Sequence, residues 1–155
     1  MAASRFAYRR RILFHETDMA GIVHFSNFFK YMEEAEHAFV RSLGLSIHDR
    51  EHPGGPIRRG WPRVKATCDF HAPLVFEEEI EIEVLVAEVR QRSIRYRFHF
   101  WKNPDALDPQ DRIRAATGEI AIVRVEGDRD KGTMRAIDLP DEWRLALAPV
   151  EVMPE

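Results

Sequence analysis

After Pro62 the hydrophobic period of this chain becomes two, and it stays there to about residue 125. Val64, Ala66, Cys68 and Phe70 alternate with Lys65, Thr67 and Asp69; Ile80, Ile82, Val84 and Val86 alternate with Glu79, Glu81 and Glu83; Ile94, Tyr96, Phe98 and Phe100 alternate with Arg95, Arg97 and His99. Successive side chains of a strand point to opposite faces, so each run predicts a strand with one buried and one wetted face, the pattern of an antiparallel sheet. A fourth run extends from about Arg114 to Val125. Two strands meet across Ala72-Pro73-Leu74, and Asn103-Pro104-Asp105 and Asp108-Pro109 mark the loop before the last of them, which together predict a meander. Its apolar face needs a cover.

One segment offers that cover. From Asn27 to Leu43, Phe28, Met32, Ala35, Phe39 and Leu43 recur at steps of three and four, and Gly44 is suited to end the helix they predict. Glu33, Glu34 and Glu36 read as its solvated side. Ahead of the helix, Phe6, Tyr8, Ile12 and Phe14 share a parity that predicts a first strand over residues 6–14. Residues 46–62 contain Pro53-Gly54-Gly55-Pro56 and Gly60 and read as a loop without regular structure; Gly127 to Gly132 reads as a charged turn, and Pro140-Asp141-Glu142-Trp143 as the start of a short last helix. The expected class is α+β, one domain over residues 1–155, with a long central helix wrapped by a curved antiparallel five-stranded sheet.

Composition narrows the function. At 155 residues and 45% hydrophobic content the chain supports one ordinary core. Its net charge of −3, with both signs mixed, provides no field for nucleic acid or an anionic membrane, which leaves a small ligand as the expected partner. The single cysteine, Cys68, excludes an intrachain disulfide or a CxxC motif and suits a reducing compartment. After Arg9, Arg10 and Arg11 only Ile12, Leu13 and Phe14 follow before polar residues return, too short for a signal-peptide core, so the expected location is cytoplasmic.

Between first strand and helix lies Phe14-His15-Glu16-Thr17-Asp18-Met19-Ala20-Gly21-Ile22-Val23-His24-Phe25-Ser26-Asn27-Phe28, which sets Asp18 in a Gly-containing turn just before a helix start. The first N–H groups of a helix lack intrahelical partners and sit at the positive end of its dipole, so they can hold an oxygen that is gaining negative charge. A carboxylate beside such donors is the pair that acyl transfer and thioester hydrolysis need. Asp is also favoured in turns and helix caps for structural reasons alone. His15, Glu16, Asp18 and His24 lack the spacing of a helical metal motif, so no metal is expected. His71 and His99 read as exposed strand residues.

The order of strand, Asp18-Met19-Ala20-Gly21-Ile22-Val23 turn, long helix and meander resembles the hotdog fold, and this turn, with Asn27 six residues after the glycine, is similar to the 4-hydroxybenzoyl-CoA thioesterase family. Glu88-Val89-Arg90-Gln91-Arg92-Ser93 resembles that family's basic segment between meander strands, and Arg135-Ala136-Ile137-Asp138-Leu139-Pro140 its C-terminal segment. The resemblance implies an acyl-CoA thioesterase that releases a free acid and coenzyme A, with Asp18 as nucleophile or as general base. It puts the polarising backbone N–H on Phe25, Gly21 at the turn where backbone approaches substrate, and phosphate contacts on Arg90, Arg92 and Ser93. The order His24-Phe25 departs from the family's usual arrangement; His24 either assists the leaving thiolate or lines the pocket. Gln91 stands where the family has a basic residue. Phe28, Phe29, Met32 and Phe70 would line a pocket for an aromatic or a short to medium-chain acyl group. No cofactor is implied, coenzyme A being part of the substrate, and a homodimer or homotetramer with shared sites is. The alternatives are a hydratase or dehydratase on the same fold and a non-catalytic acyl-CoA sensor.

Overall fold

The computed structural model describes residues 1–49 and 54–155. In chain order its elements are β1 (Arg5–Arg11), α1 (Phe25–Ser42), β2 (Ile57–Gly60), β3 (Arg63–Phe70), β4 (Glu79–Val89), β5 (Ser93–Lys102), β6 (Ile113–Val123), β7 (Val125–Asp128), β8 (Thr133–Ala136) and α2 (Asp141–Ala146), with 3-10 turns at Phe14–Glu16 and Pro109–Asp111. The alternating segments pair as one antiparallel sheet in the order β1-β4-β5-β6-β3. One row across all five strands is Tyr8, Ile82, Phe100, Ala116 and Phe70; the next is Phe6, Val84, Phe98, Gly118 and Cys68. The sheet is the five-stranded one expected, and α1 covers it with Phe28, Tyr31, Met32, Ala35, Phe39 and Val40, all buried. Each large side chain shielded this way contributes about 1.5–3 kcal/mol before ordering costs. Met32 fills the gap left by Gly118: a Cβ there would lie 2.2 Å from its Sδ.

Four sequence expectations are corrected. β3 and β4 do not form a hairpin across Ala72-Pro73-Leu74; β3 pairs with β6, and the 71–78 segment carries the chain across the sheet to β4, which runs between β1 and β5. The segment read as loop over 46–62 contains β2, which pairs with β7 of a second sheet ordered β2-β7-β8; Ile57-Arg58-Arg59-Gly60 has no apolar alternation to announce it, and Pro53 lies outside the described residues. The first strand stops at Arg11, and Phe14 sits in the 3-10 turn with 73% of its surface exposed. Glu36 and His99 are buried, not solvated.

β3 is an edge strand. It pairs with β6 on one side, and Val64 and Phe70 are exposed along it. At the far end of the sheet from Phe70, Trp61 and Trp143 of α2 stack with ring centres 4.3 Å apart, and the Arg124 guanidinium lies over Trp61. No helix among the described residues is long and apolar enough to cross a membrane.

Candidate active site

The acidic turn is built by backbone pairing on both of its arms. Asp18 N–H donates to the Ile22 carbonyl (2.9 Å), Gly21 N–H donates to the Asp18 carbonyl (3.0 Å), and Thr17 bridges Val23. The Asp18 carboxylate accepts the Ala20 N–H at 2.8 Å through Oδ1. Gly21 has φ +78°, a left-handed conformation open to glycine at no steric cost. No protein atom lies within 4 Å of the position a Cβ would take there, so the backbone angle is the reason for the glycine. The exit arm docks on the β3–β4 connection: Val23 N–H donates to Leu74 O at 2.8 Å, and Ile22 bridges Val75.

His24 is the N-cap of α1. Its φ of −62° and ψ of 134° are extended, and its Nδ1 accepts the Ser26 N–H at 3.3 Å and lies 2.8 Å from Ser26 Oγ. With Nδ1 accepting, a neutral ring carries its proton on Nε2. Asn27 N–H donates to the His24 carbonyl. Phe25, the first helical residue, is different: among the described residues its N–H has no hydrogen-bond partner. One donor at the positive end of α1 is therefore left for something outside the chain.

Asp18 stands on the boundary between two cavities. One, of about 480 Å³, is mostly apolar and is lined by Phe25, Phe28, Phe70, His71 and residues 72–74. The other, of about 770 Å³ and open to solvent, is lined by Phe14, His15, Thr17, Gly21, His24 and Asn27. The edge of the Phe70 ring meets Phe28 at 5.0 Å, which makes an aromatic wall. The structure thus brings Asp18, Gly21, His24, Phe25, Phe28 and Phe70 together. Phe29 lies half-buried outside this cavity, and Met32 is under Gly118 in the core. His71, read from sequence as an exposed strand residue, is at the rim of the apolar cavity, its Nε2 3.2 Å from Thr117 Oγ1.

Arg90, Arg92 and Ser93 are elsewhere. They belong to the β4–β5 turn, where Arg90 N–H donates to Ser93 O, Arg90 pairs with Glu88 (2.9 Å) and Arg92 with Asp138 (3.1 Å). Gln91 Nε2 donates to the same Asp138. β4 starts beside the acidic turn and ends at Val89, just before Arg90, so its eleven residues, at about 3.3 Å each, put these arginines roughly 30 Å from Asp18 within one chain.

Sequence reasoning missed a residue that the turn depends on. Glu16 is buried and bonded to Arg10 and to both flanks of the turn. The signal was available: Arg10 shares the inward parity of Tyr8 and Ile12, and a charge on a core-facing position needs a buried partner. Tyr31, beneath this pair, has its pKa pushed well above the usual phenol range by burial, and by the Glu16 carboxylate second. Among the described residues no three of His, Cys, Asp and Glu form a metal-binding group.

Comparisons with known proteins agree with this geometry. The model of the thioesterase superfamily matches residues 20–108. A protein of Aquifex aeolicus assigned as an esterase is 32% identical over 102 residues, 66% of this chain and 77% of its own length. A 4-hydroxybenzoyl-CoA thioesterase of a Pseudomonas species is 25% identical over 146 residues, 91% of this chain and 96% of its own. Among solved structures, a gentisyl-coenzyme A thioesterase superposes with a TM-score of 0.73 at 30% identity, covering 92% of this chain and 100% of that one. A long helix laid on a five-stranded antiparallel sheet, an acidic turn at its start and these matches lead to one conclusion: the chain belongs to the thioesterase superfamily.

Proposed function

We propose that this chain hydrolyses the thioester bond of a coenzyme A thioester with a compact aromatic acyl group, and that Asp18 and the Phe25 N–H are its catalytic pair. Thioester hydrolysis is the activity of the family; the roles of the two residues are our reading. The observation that carries it is the unpaired N–H of Phe25 at the start of α1, a residue that lines the same apolar cavity as Asp18. The thioester carbonyl oxygen accepts this N–H and gains negative charge as the carbonyl carbon is attacked, either by the Asp18 carboxylate or by a water that Asp18 deprotonates. The carbon–sulfur bond then breaks and the thiolate of coenzyme A takes a proton; where Asp18 is the nucleophile, this leaves a mixed anhydride that water cleaves at the acyl carbon, so on both routes the acid leaves with one oxygen from water and Asp18 is restored. The thiolate's proton comes from the attacking water, by way of Asp18 on the general-base route, and His24, whose Nε2–H is free of the cap, is placed to hydrogen-bond the departing sulfur.

The acyl class follows from the walls. A cavity of about 480 Å³ lined by Phe25, Phe28 and Phe70 suits a flat ring, and two of the three proteins named above are a gentisyl-CoA and a 4-hydroxybenzoyl-CoA thioesterase. No cofactor or metal enters the proposed reaction.

A homodimer completes the site. β3 runs from Arg63, at the Arg90 end of the sheet, to Phe70, at the Asp18 end. If two copies join antiparallel along this open edge, the Phe70 end of one lies beside the Arg63 end of the other, and Arg90 and Arg92 of the partner subunit come to the side of the sheet that holds Asp18. Guanidinium groups there suit the phosphates of coenzyme A, and exposed pairs such as Arg92–Asp138 are weak enough to open for them.

The test is thiol release from a panel of aromatic and aliphatic acyl-CoA thioesters by wild type and Asp18→Asn. Release from aromatic thioesters that falls at least about a hundredfold in the variant supports the reading. Binding with no release, or an undiminished Asp18→Asn, overturns it.

A further inference from the structure

Glu16 is used twice. Its carboxylate, with 9% of the side chain exposed, accepts the Leu13 N–H at 2.7 Å and takes Arg10 Nη2 at 2.6 Å on each oxygen. Its backbone carbonyl accepts the His24 N–H (2.9 Å) and Asn27 Nδ2 (2.8 Å). Arg10 carries the network on: Nη1 reaches Glu34 of α1 at 2.6 Å, and the guanidinium lies 4.1 Å from the centre of the Tyr31 ring. Strand β1, the acidic turn and α1 therefore converge on one buried ion pair.

The placement matters because of what is adjacent. Asp18 is two residues after Glu16 on the entry arm of the turn, and Phe25 follows His24, whose N–H Glu16 holds on the exit arm. We propose that Glu16, locked by Arg10, is the positioning residue of the site: it sets the separation between the Asp18 carboxylate and the Phe25 N–H and touches no substrate. This rests on the thioester-hydrolysis reading above. Burying an ion pair does little for stability compared with apolar packing, so its use here is geometric. A misplacement of about 1 Å between reacting groups costs on the order of a hundredfold in rate.

The experiment compares wild type with Glu16→Gln, Arg10→Met and the double variant in steady-state thioester hydrolysis, affinity for a non-cleavable acyl-CoA thioether, and amide hydrogen exchange at Asp18 and His24. Glu16→Gln keeps the backbone carbonyl and an acceptor for Leu13 but loses the charge that holds Arg10. The expected result is kcat lower by about ten- to a hundredfold, with KM and thioether affinity within about threefold of wild type. The double variant is expected to be no worse than the weaker single, since both break one device. Exchange of the His24 amide should quicken at least about tenfold. A folded Glu16→Gln with wild-type kcat, a loss carried by KM and affinity, or losses that multiply in the double variant would each overturn the proposal. Should Glu16→Gln fail to fold, Arg10→Lys, which keeps the charge but not the two-armed contact, is expected to show the same kcat-specific loss, and wild-type kcat there overturns it. If wild type cleaves no thioester, the functional reading fails on its own, and amide exchange alone judges Glu16, unchanged exchange counting against it.

Discussion

Glu36 of α1 meets Arg63 at the start of β3 at 2.6 Å, and it does so with no exposed surface. Burial pushes its carboxyl up to about 7, with the Arg63 guanidinium opposing and Glu33 adding to the rise. A carboxyl with a folded pKa above its unfolded value binds more protons in the native state, so its stabilising contribution is full below about 4.5 and is lost as pH rises through about 7. Glu36→Gln should remove that slope. The integrated effect is on the order of 3 kcal/mol, to be read in denaturant titrations between pH 4.5 and 8. A variant whose slope equals that of wild type would show Glu36 ionised throughout.

His99 works in the opposite direction. It stands buried on the outer side of β5, and burial, with Arg114 and Arg97 nearby, lowers its pKa to about 4. Native protein then binds fewer protons than unfolded chain, so this contribution is present above about 6.5 and lost as pH falls toward 4. Between pH 4.5 and 6.5 the two residues offset one another, each on the order of 3 kcal/mol at most. His99→Phe should therefore leave stability falling as pH rises across that window, and Glu36→Gln should leave it falling as pH drops. Two single variants with the same sign of slope would refute the pairing.

Phe25 offers a clean deletion of a backbone donor. It is the first residue of α1, where proline is well tolerated, and His24 before it already has the extended angles that proline demands. Phe25→Pro should keep the melting temperature within a few degrees while lowering kcat by about a hundredfold or more, the usual loss for one oxyanion donor. Phe25→Ala retains the N–H and should change mainly KM, through the lost cavity wall. Equal kcat in the two variants would remove the N–H from the mechanism.

Sites shared across β3 predict complementation. Asp18→Asn and the Arg90→Ala, Arg92→Ala double variant, refolded together, should form mixed dimers with one intact site. At low substrate the mixture should recover about a quarter of wild-type rate. Recovery no greater than the sum of the separate variants would place each whole site in one chain.

Much of this architecture can be read from spacing. α1 begins at Phe25 instead of Asn27 and ends one residue before Leu43, and the alternations at 80–86 and 94–100 fall within β4 and β5. Alternation announces a strand but says nothing of its neighbour: chain order suggests β3 beside β4, whereas β3 lies beside β6. β2 escaped because its pairing with β7 is made through a backbone that carries no apolar face. Glu36 reads as solvated because a carboxylate costs most when buried; Arg63, distant in sequence, is what admits it. In the site, Asp18, Gly21 and Phe25 follow from local order and dipole, whereas Glu16 requires seeing that Arg10 points inward.

The stacked Trp61 and Trp143 have an optical consequence. They are two of the chain's three tryptophans, buried in one tilted pair that exists only while α2 is docked beside the β2–β3 connection. Their coupled near-ultraviolet circular dichroism is thus a built-in gauge of the C-terminal segment, at the end of the sheet remote from Asp18. Detachment of that segment can be followed separately from events in the acidic turn, with no added label.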